Sequence, residues 1–588
     1  MPGIRFIELA VRTCKLSSLR QILSVRRVRK HYAQVVKLAS ETAPPAAPAA
    51  QQGLPLISFV VGVKDACSAH LSELLQSFQD QAGEAAELII CGDDSTSSDT
   101  QQWFARQEPA SNFQIIRSTR GAGYATRVNA GIAAARGEWI SIIEQTGALT
   151  PYVVNLIAQV ILEHPDCKLI YTDEVVSDDN LQALSYRFKP AYDEVLLSGF
   201  NYINHLCCYR RDLVQELGGL REQGAGLESY DLVLRYAQRL RSDEIKHLPY
   251  PGWRGRDVRA APDDRVGRRI LAERYTSAHG DPPVDEVDAA EGMYRIRFDK
   301  RTRKWPRVSV VIPNRNSFEL ISRILLDLSN RTDYENLEII VIDNGTTDTR
   351  VLALYETMTK GIIPFHYKVA PMPFNFSRQT NQGIAMASGE LILLLNNDVE
   401  VTEEQWLREM VSCFDYPETG IVGPRMLWPD GRLQHAGFII GLKGLSSAWF
   451  CGQQPSVTGP MNRLRVRQSF TAVSGACMLV SRRCFEKVGL LDEDEFAVTY
   501  NDFDFCLRAV AAGYRVVWTP FATLIHHVSL SRGNDYMPVK WARARREASS
   551  MRRRHNPGSF QDRAFSPWYD RRRVMPSITV LNRLPKAR

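Results

Sequence analysis

Short apolar runs that stop abruptly in small polar residues recur along most of this chain. "LISFVVGV" (56–63), "AELIICGDD" (86–94), "VSVVIPNRN" (308–316) and "GELILLLNNDVEVT" (389–402) are examples. Runs apolar at every position, rather than at every second one, predict strands buried on both faces. Helical patterns alternate with them, which predicts an α/β fold of strand–helix units. With 588 residues the chain is too long for one core, so at least two domains are expected.

The pattern restarts at Val308, and the restart is an internal repeat. "NQGIAMASGELILLLNNDVEVT" (381–402) aligns without gaps on "NAGIAAARGEWISIIEQTGALT" (129–150), matching Asn381 to Asn129, Gly383 to Gly131 and Gly389 to Gly137. "LEIIVIDNGTTDT" (337–349) pairs with "AELIICGDDSTSSDT" (86–100), and "NDFDFCLRA" (501–509) with "ESYDLVLRY" (228–236). Three matches in one order predict two copies of one α/β domain. The expected organisation is a basic helical arm and Pro/Ala linker over 1–53, a first domain over 54–300, a second over 301–540 and a basic extension over 541–588.

Charge adds little to the fold but suggests partners. The net charge of +7 is concentrated at the ends, in the first 40 residues and in "MRRRH" (551–555) and "DRRR" (570–573). Such a basic helix suits either an anionic membrane surface or a solvated tether. No nucleic-acid-binding motif accompanies it, so no nucleic-acid partner is expected. No apolar run reaches the length of a membrane span and no signal-peptide pattern opens the chain, so the expected location is cytoplasmic, with peripheral contact at the inner membrane surface as an option. The 11 cysteines form no CxxC pair, which favours a reduced compartment over a disulfide framework or zinc site.

Candidate chemistry gathers in the second copy, at strand ends, where doubly wound sheets place ligands. Pro313 and Asn314 follow one strand and Asp343 ends the next; Asn396, Asn397 and Asp398 end a third. Asp502 and Asp504 open an amphipathic helix, and His526 and His527 close the strand after it. Singly, each has a plain structural explanation as a turn or helix cap. Together, carboxylates and imidazole at several strand ends are what a divalent cation, a diphosphate and a general base require. Oxygen ligands suit Mg²⁺ or Mn²⁺, and an imidazole tilts the choice toward Mn²⁺. The GxxxxGK[ST] loop of nucleotide hydrolases is absent from the sequence.

These residues carry a resemblance. The second copy, over about 305–535, resembles the inverting family-two glycosyltransferases of the GT-A fold. "VSVVIPNRN", "VIDNGTTD", "LLLNNDVEV", "GACMLVSRRCFEKVGLLDE", "NDFDFCLRA" and "HHVSLSRG" stand in family order. The whole chain resembles double-domain members that build O-antigens, capsules and related surface glycans, rhamnosyltransferases among them. The resemblance implies two tandem GT-A domains, Rossmann-like in their nucleotide-binding part. It implies a nucleotide-sugar donor (dTDP-rhamnose, or a UDP- or GDP-sugar) and a lipid-linked or polysaccharide acceptor. Asp343 would contact the nucleotide base, and Pro313, Asn314, Asn381, Asn396 and Asn397 would line the donor. Asp398 would hold the metal, as last residue of a degenerate Asp-x-Asp motif whose first Asp is Asn396 here. His526 or His527 would complete the metal or phosphate contacts. Asp502 would be the general base, with Asp504 orienting its neighbours and Arg532 beside the phosphate. "DGRLQHAGF", with His435, is similar to a recurring family stretch of unassigned role.

The first copy departs from this pattern. Thr146 stands at Asp398 and Ser229 at Asp502; His526 follows Asp502 by 24 positions, and the same step from Ser229 reaches Trp253. Only Asp93 or Asp94 on the nucleotide side and Asp173-Glu174 remain. The expectation is a pseudo-transferase domain kept for architecture, acceptor binding or membrane docking. A site shifted onto Glu144 and Glu228, making the chain bifunctional, is the alternative, and a glycan-binding scaffold without catalysis is a third reading.

Overall fold

A computed structural model describes residues 24–43, 54–81, 83–93, 97–256, 263–277, 280–302, 304–527 and 538–588. Arg532, Asp94, residues 44–53 of the Pro/Ala linker and residues 1–23 of the basic arm lie outside the described residues.

Both halves are α/β and share one topology. The first sheet runs, edge to edge, Phe113–Ser118, Ala86–Asp93, Ile57–Gly62, Trp139–Ile143, Cys207–Arg210, Leu169–Ser177, Ile245–Arg256 and Gly147–Leu149. The second runs Phe365–Val369, Leu337–Asp343, Val308–Asn314, Leu391–Leu395, Cys477–Ser481, Thr419–Leu427, Arg515–His526 and Val399–Val401. In each, the first four strands are parallel, and the fifth runs antiparallel to both its neighbours. The uniformly apolar runs become strands buried throughout, Leu391–Leu395 and Trp139–Ile143 among them, as their lack of alternation predicts.

The repeated sequence proves to be scaffold. Asn381 donates from Nδ2 to the carbonyl of Leu491 at 2.9 Å and accepts from the Leu491 N–H at 3.1 Å. Asn129 makes the same pair of bonds with Leu220, both at 2.9 Å. Two residues on, a side chain at Gly383 would meet Val311 and one at Gly131 would meet Cys91, so only glycine lets each helix lie this close to its sheet. Gly389 and Gly137 donate their N–H groups to Ser309 and Ser58, both at 2.8 Å. Asn381, expected among the donor-lining residues, thus has both ends of its amide committed to the fold.

The basic ends are docked. The helix over 24–42 buries Val28, His31, Val35 and Ala39, one stripe at helical spacing. His31 meets Tyr186 Oη at 3.1 Å and the Thr579 carbonyl at 3.0 Å. Arg26, Arg27, Lys30 and Lys37 face outward. The helix Pro538–His555 packs on the second half, where Arg554 and His555 bond Asp504 at 2.9 and 2.8 Å. The chain then returns to the first half, where Trp568 is fully buried and donates to the Pro249 carbonyl at 2.8 Å. Much of the C-terminal arginine charge is therefore spent on ion pairs in a strap across both halves. Between the halves, Arg295 of the first pairs at 2.9 Å with buried Glu409 of the second, which Arg467 and Thr519 also bond. Among the described residues, no helix is long and apolar enough to cross a membrane.

Candidate active site

The turn after Leu391–Leu395 delivers Asn396, Asn397 and Asp398. Asp398 Oδ1 lies 3.1 Å from His526 Nε2, and both side chains are nearly buried. Backbone pairing creates this contact: Val399 lies opposite His526, and the His527 N–H donates to the Asp398 carbonyl at 2.9 Å. The other ring nitrogen, His526 Nδ1, lies 2.8 Å from Gln434 Oε1, while Gln434 Nε2 donates to the His526 carbonyl at 3.2 Å. With the amide so oriented, Nδ1 carries a proton, and Nε2 is the ring nitrogen that faces the Asp398 carboxylate. A neutral ring faces the carboxylate with a lone pair, which a bound cation would bridge, and a protonated ring pairs with it directly. Asn396, two positions before Asp398 in the same turn, has a buried Oδ1 with no hydrogen-bond partner among the described residues. One carboxylate, one imidazole and one amide oxygen fit a divalent cation that takes its remaining ligands from phosphate and water. No group of three or more His, Cys, Asp or Glu suited to a metal occurs among the described residues, so such an ion would lean on its substrate.

His527 is turned elsewhere. Its Nε2 lies 2.9 Å from Glu400 and 3.0 Å from Arg323. The hydrogen bond from His527, against the opposing effect of burial, holds Glu400 below the usual carboxylate range, with Arg323 helping. Of the two histidines, His526 is the one brought to Asp398.

Asp502 sits in the first turn of the helix Asn501–Ala511. Its Oδ2 accepts from the Gly475 N–H at 3.0 Å and its Oδ1 from the Phe503 N–H at 2.9 Å. A side chain at Gly475 would crowd Asp502. Next to Gly475, Ala476 accepts from the Asn396 N–H at 2.9 Å, so base and metal turn are braced on neighbouring residues. On the other side, the Ser474 nitrogen lies 2.8 Å from His435 Nε2 and the Gly437 nitrogen 2.7 Å from His435 Nδ1, and a neutral ring accepts from one of the two. His435 is buried, and burial followed by nearby His526 pushes it down to about 3; with an N–H donor at each ring nitrogen, a charged ring would have no acceptor. Gln434 and His435 therefore link the Asp398–His526 pair to the Asp502 loop. Sequence reasoning missed Gln434 and gave His435 no role, and "DGRLQHAGF" was the only signal.

On the nucleotide side, Asp343 is fully buried. It accepts from Thr346 N at 2.7 Å, Thr346 Oγ1 at 2.6 Å, Tyr355 Oη at 2.7 Å and Asn314 Nδ2 at 3.1 Å. Its oxygens are spent on shaping the turn at its strand end. Asn314 also accepts from Asn397 Nδ2 at 2.7 Å, joining this turn to the metal turn, while Pro313 lies in the same strand, opposite Ile342. Asp504, bonded to Arg508, Arg554 and His555, ties the base's helix to the strap.

The first half differs at each position. Gly147 lies opposite Gly255, as Val399 lies opposite His526. The residue structurally at His526 is therefore Gly255, not Trp253 as counting along the sequence predicts. The slip arises because Ala237 to Ile245 is a longer helix–strand connection than Ala511 to Arg515, carrying an extra short turn at Ser242–Glu244. Arg256 stands at His527 and bonds the Thr146 carbonyl at 2.8 Å. Glu144, at the position of Asn396, reaches His205 at 3.2 Å, and His205 reaches Glu174 at 3.0 Å. Burial lowers the His205 pKa, but Glu144 and Glu174 outweigh it and raise it to about 9. At the position of Asn396 the first half thus carries a chain of ion pairs, Glu144–His205–Glu174.

The model of the family described as Glycosyl transferase family 2 matches residues 58–218 and 309–489. The chain is 35% identical over 528 residues to the protein y4gI of Sinorhizobium fredii, covering 88% of this chain and 58% of that protein. It is 32% identical over 501 residues to the O-antigen biosynthesis protein RfbC of Myxococcus xanthus, covering 82% and 38%. The chain thus spans well under two thirds of either relative. An N-acetylglucosaminyl-diphospho-decaprenol L-rhamnosyltransferase of Mycobacterium tuberculosis is 27% identical over 237 residues, 37% of this chain and 74% of that one. Among solved structures, a Pyrobaculum calidifontis mannosyltransferase in complex with GDP-Man and Mn²⁺ aligns at 18% identity and TM-score 0.31, covering 43% of this chain and 68% of that one. GalNAc-T7 with UDP, GalNAc and Mn²⁺ aligns at 15% identity and TM-score 0.33, covering 44% and 50%. With the family model matched once in each half, the chain belongs to glycosyl transferase family 2, as a tandem of two α/β domains.

Proposed function

We propose that the second half transfers a sugar from a nucleotide-sugar donor to a hydroxyl of a growing surface polysaccharide, by a single inverting displacement. The observation that carries this reading is the convergence of Asp398, His526 and Asp502 through Gln434, His435 and the 474–476 loop. The names of two relatives, an O-antigen biosynthesis protein and a rhamnosyltransferase on a lipid diphosphate, favour a surface-glycan acceptor.

In the proposed reaction the acceptor oxygen attacks the anomeric carbon from the face opposite the diphosphate. Asp502 takes the hydroxyl proton as the new glycosidic bond forms, and the bond from that carbon to the phosphate oxygen breaks. The Gly475 and Phe503 N–H groups hold the Asp502 carboxylate in place for that proton. Asp398, His526 and Asn396 would hold a divalent cation, Mn²⁺ or Mg²⁺, which when bound offsets charge on the leaving nucleoside diphosphate. The Asn314–Asp343–Thr346 turn would form the nucleotide wall. The exposed basic face of the 24–42 helix would suit an anionic membrane surface. The first half, lacking metal carboxylate and base, would serve without transfer chemistry.

The test is a screen of UDP-, GDP- and dTDP-sugars with purified protein and Mn²⁺ or Mg²⁺, reading nucleoside diphosphate release. The expected result is release from one donor, abolished by EDTA and by Asp398→Ala. Release untouched by both would refute the reading.

A further inference from the structure

The first half keeps an open cleft where its catalytic residues are missing. A cavity of about 590 Å³ lies at its strand ends, within the range of small-molecule sites. Strand pairing fixes the equivalences: Trp139–Ile143 against Cys207–Arg210 sets Glu144 opposite His205, as Leu391–Leu395 against Cys477–Ser481 sets Asn396 opposite Ala476. The small Gly475-Ala476 pair of the second half is replaced by Asn204-His205. An imidazole therefore projects where Ala476 carries only a methyl group.

The lining is of a kind that recognises sugars. Glu144 and Glu228 are carboxylates, Asn201 offers an amide and Tyr124 an aromatic ring. Asn201 Oδ1 is buried with no hydrogen-bond partner among the described residues, an acceptor whose cost a hydroxyl would remove. Glu228 opens the helix Glu228–Ala237, one position before the counterpart of Asp502. Of the cations in the lining, Arg187 pairs with Glu174, Arg256 with Glu73 and His205 with Glu144 and Glu174, which leaves Lys64 to face a diphosphate unless a metal intervenes. Here Thr146 and Gly255 stand where Asp398 and His526 would hold one, and Glu144 is already matched by His205. Sugar hydroxyls, by contrast, donate to carboxylates without any metal. Met461, from the second half, closes one wall, so an occupant would lie at the joint of the two halves.

We propose that this cleft is a saccharide-binding site that works without metal. The inference does not require the second half to be active, because its test reads binding. Saturation-transfer NMR would use the full chain in EDTA with the methyl glycosides of rhamnose, mannose, galactose, glucose and N-acetylglucosamine. At least one should give a signal that survives Asp398→Ala and weakens at least 10-fold in both Glu228→Gln and Ser229→Trp. Ser229→Trp fills the cleft without removing a buried charge, and unchanged thermal unfolding of that variant confirms an intact fold. No signal from any of the five glycosides, a signal kept by both cleft variants, or one lost in Asp398→Ala would overturn the proposal. Displacement of the sugar by UDP, GDP or dTDP in EDTA would mark a second donor site and overturn it equally.

Discussion

The two halves share a sheet order, a register and a set of buried braces, yet differ at nearly every residue that carries chemistry. Asn129 and Asn381, Gly131 and Gly383, Ser58 and Ser309 do the same work twice. Asp398, His526 and Asp502 have Thr146, Gly255 and Ser229 as counterparts. Residues shared by both copies therefore report the fold, and those that differ report the function. Sequence identity within a repeat is a poor guide to a site: Asn381 belongs to the best-matched stretch, and its amide is bonded to the Leu491 backbone.

The comparison can be broken most sharply at the metal turn. Asp398→Ala should lower transfer by about 10²–10³-fold, several kcal/mol of lost charge stabilisation, and abolish stimulation by Mn²⁺; steady-state rates against metal concentration check it. A variant still stimulated by Mn²⁺ would move the metal elsewhere. Next comes the link unique to the second half. Gln434→Leu frees His526 without touching substrate, and a loss of about 10–100-fold with a raised metal requirement is expected, as for other residues that orient a metal ligand.

A smaller effect separates the halves by pH. His205 is raised in the folded protein to about 9, held by Glu144 and Glu174 with Lys189 and Arg187 beside Glu174. Its contribution to stability is complete below about 6.5, where a free imidazole titrates, and disappears as pH rises through about 9. Thermal unfolding followed from pH 6 to 10 should show that decline, and His205→Gln should flatten it. An equal decline in the variant would place the titrating group elsewhere. Smallest of all, Asn129→Ala and Asn381→Ala should cost about 1–3 kcal/mol each, read as similar falls in Tm. If Asn381→Ala instead raised the KM for the donor while sparing Tm, that residue would belong to the site.

Much of this was legible in the sequence. The uninterrupted apolar runs and the gapless repeat indicate two α/β domains, because a duplicated core must keep its buried strands and close-packing glycines. The places of Asp398, His526 and Asp502 were legible because each stands where a strand ends or a helix begins. The rest depended on distance in the chain. The Gln434–His526 bond spans 92 positions and the Trp568–Pro249 bond 319, and no local pattern encodes either. Arg554 and His555 read as surface charge until their partners Asp492, Glu495 and Asp504 are seen. Counting to Trp253 failed because a longer connection shifts register without disturbing the strands.

The central claim is that one half carries out transfer. It is tested most directly by nucleoside diphosphate release from UDP-, GDP- and dTDP-sugars by the Asp502→Asn protein beside the unmodified one, both with Mn²⁺. The account predicts one productive donor for the unmodified protein and a fall of about 10²–10⁴-fold, the usual contribution of a general base, for the variant with every donor. A donor still consumed at the original rate by Asp502→Asn would contradict it, and would assign transfer to the first half.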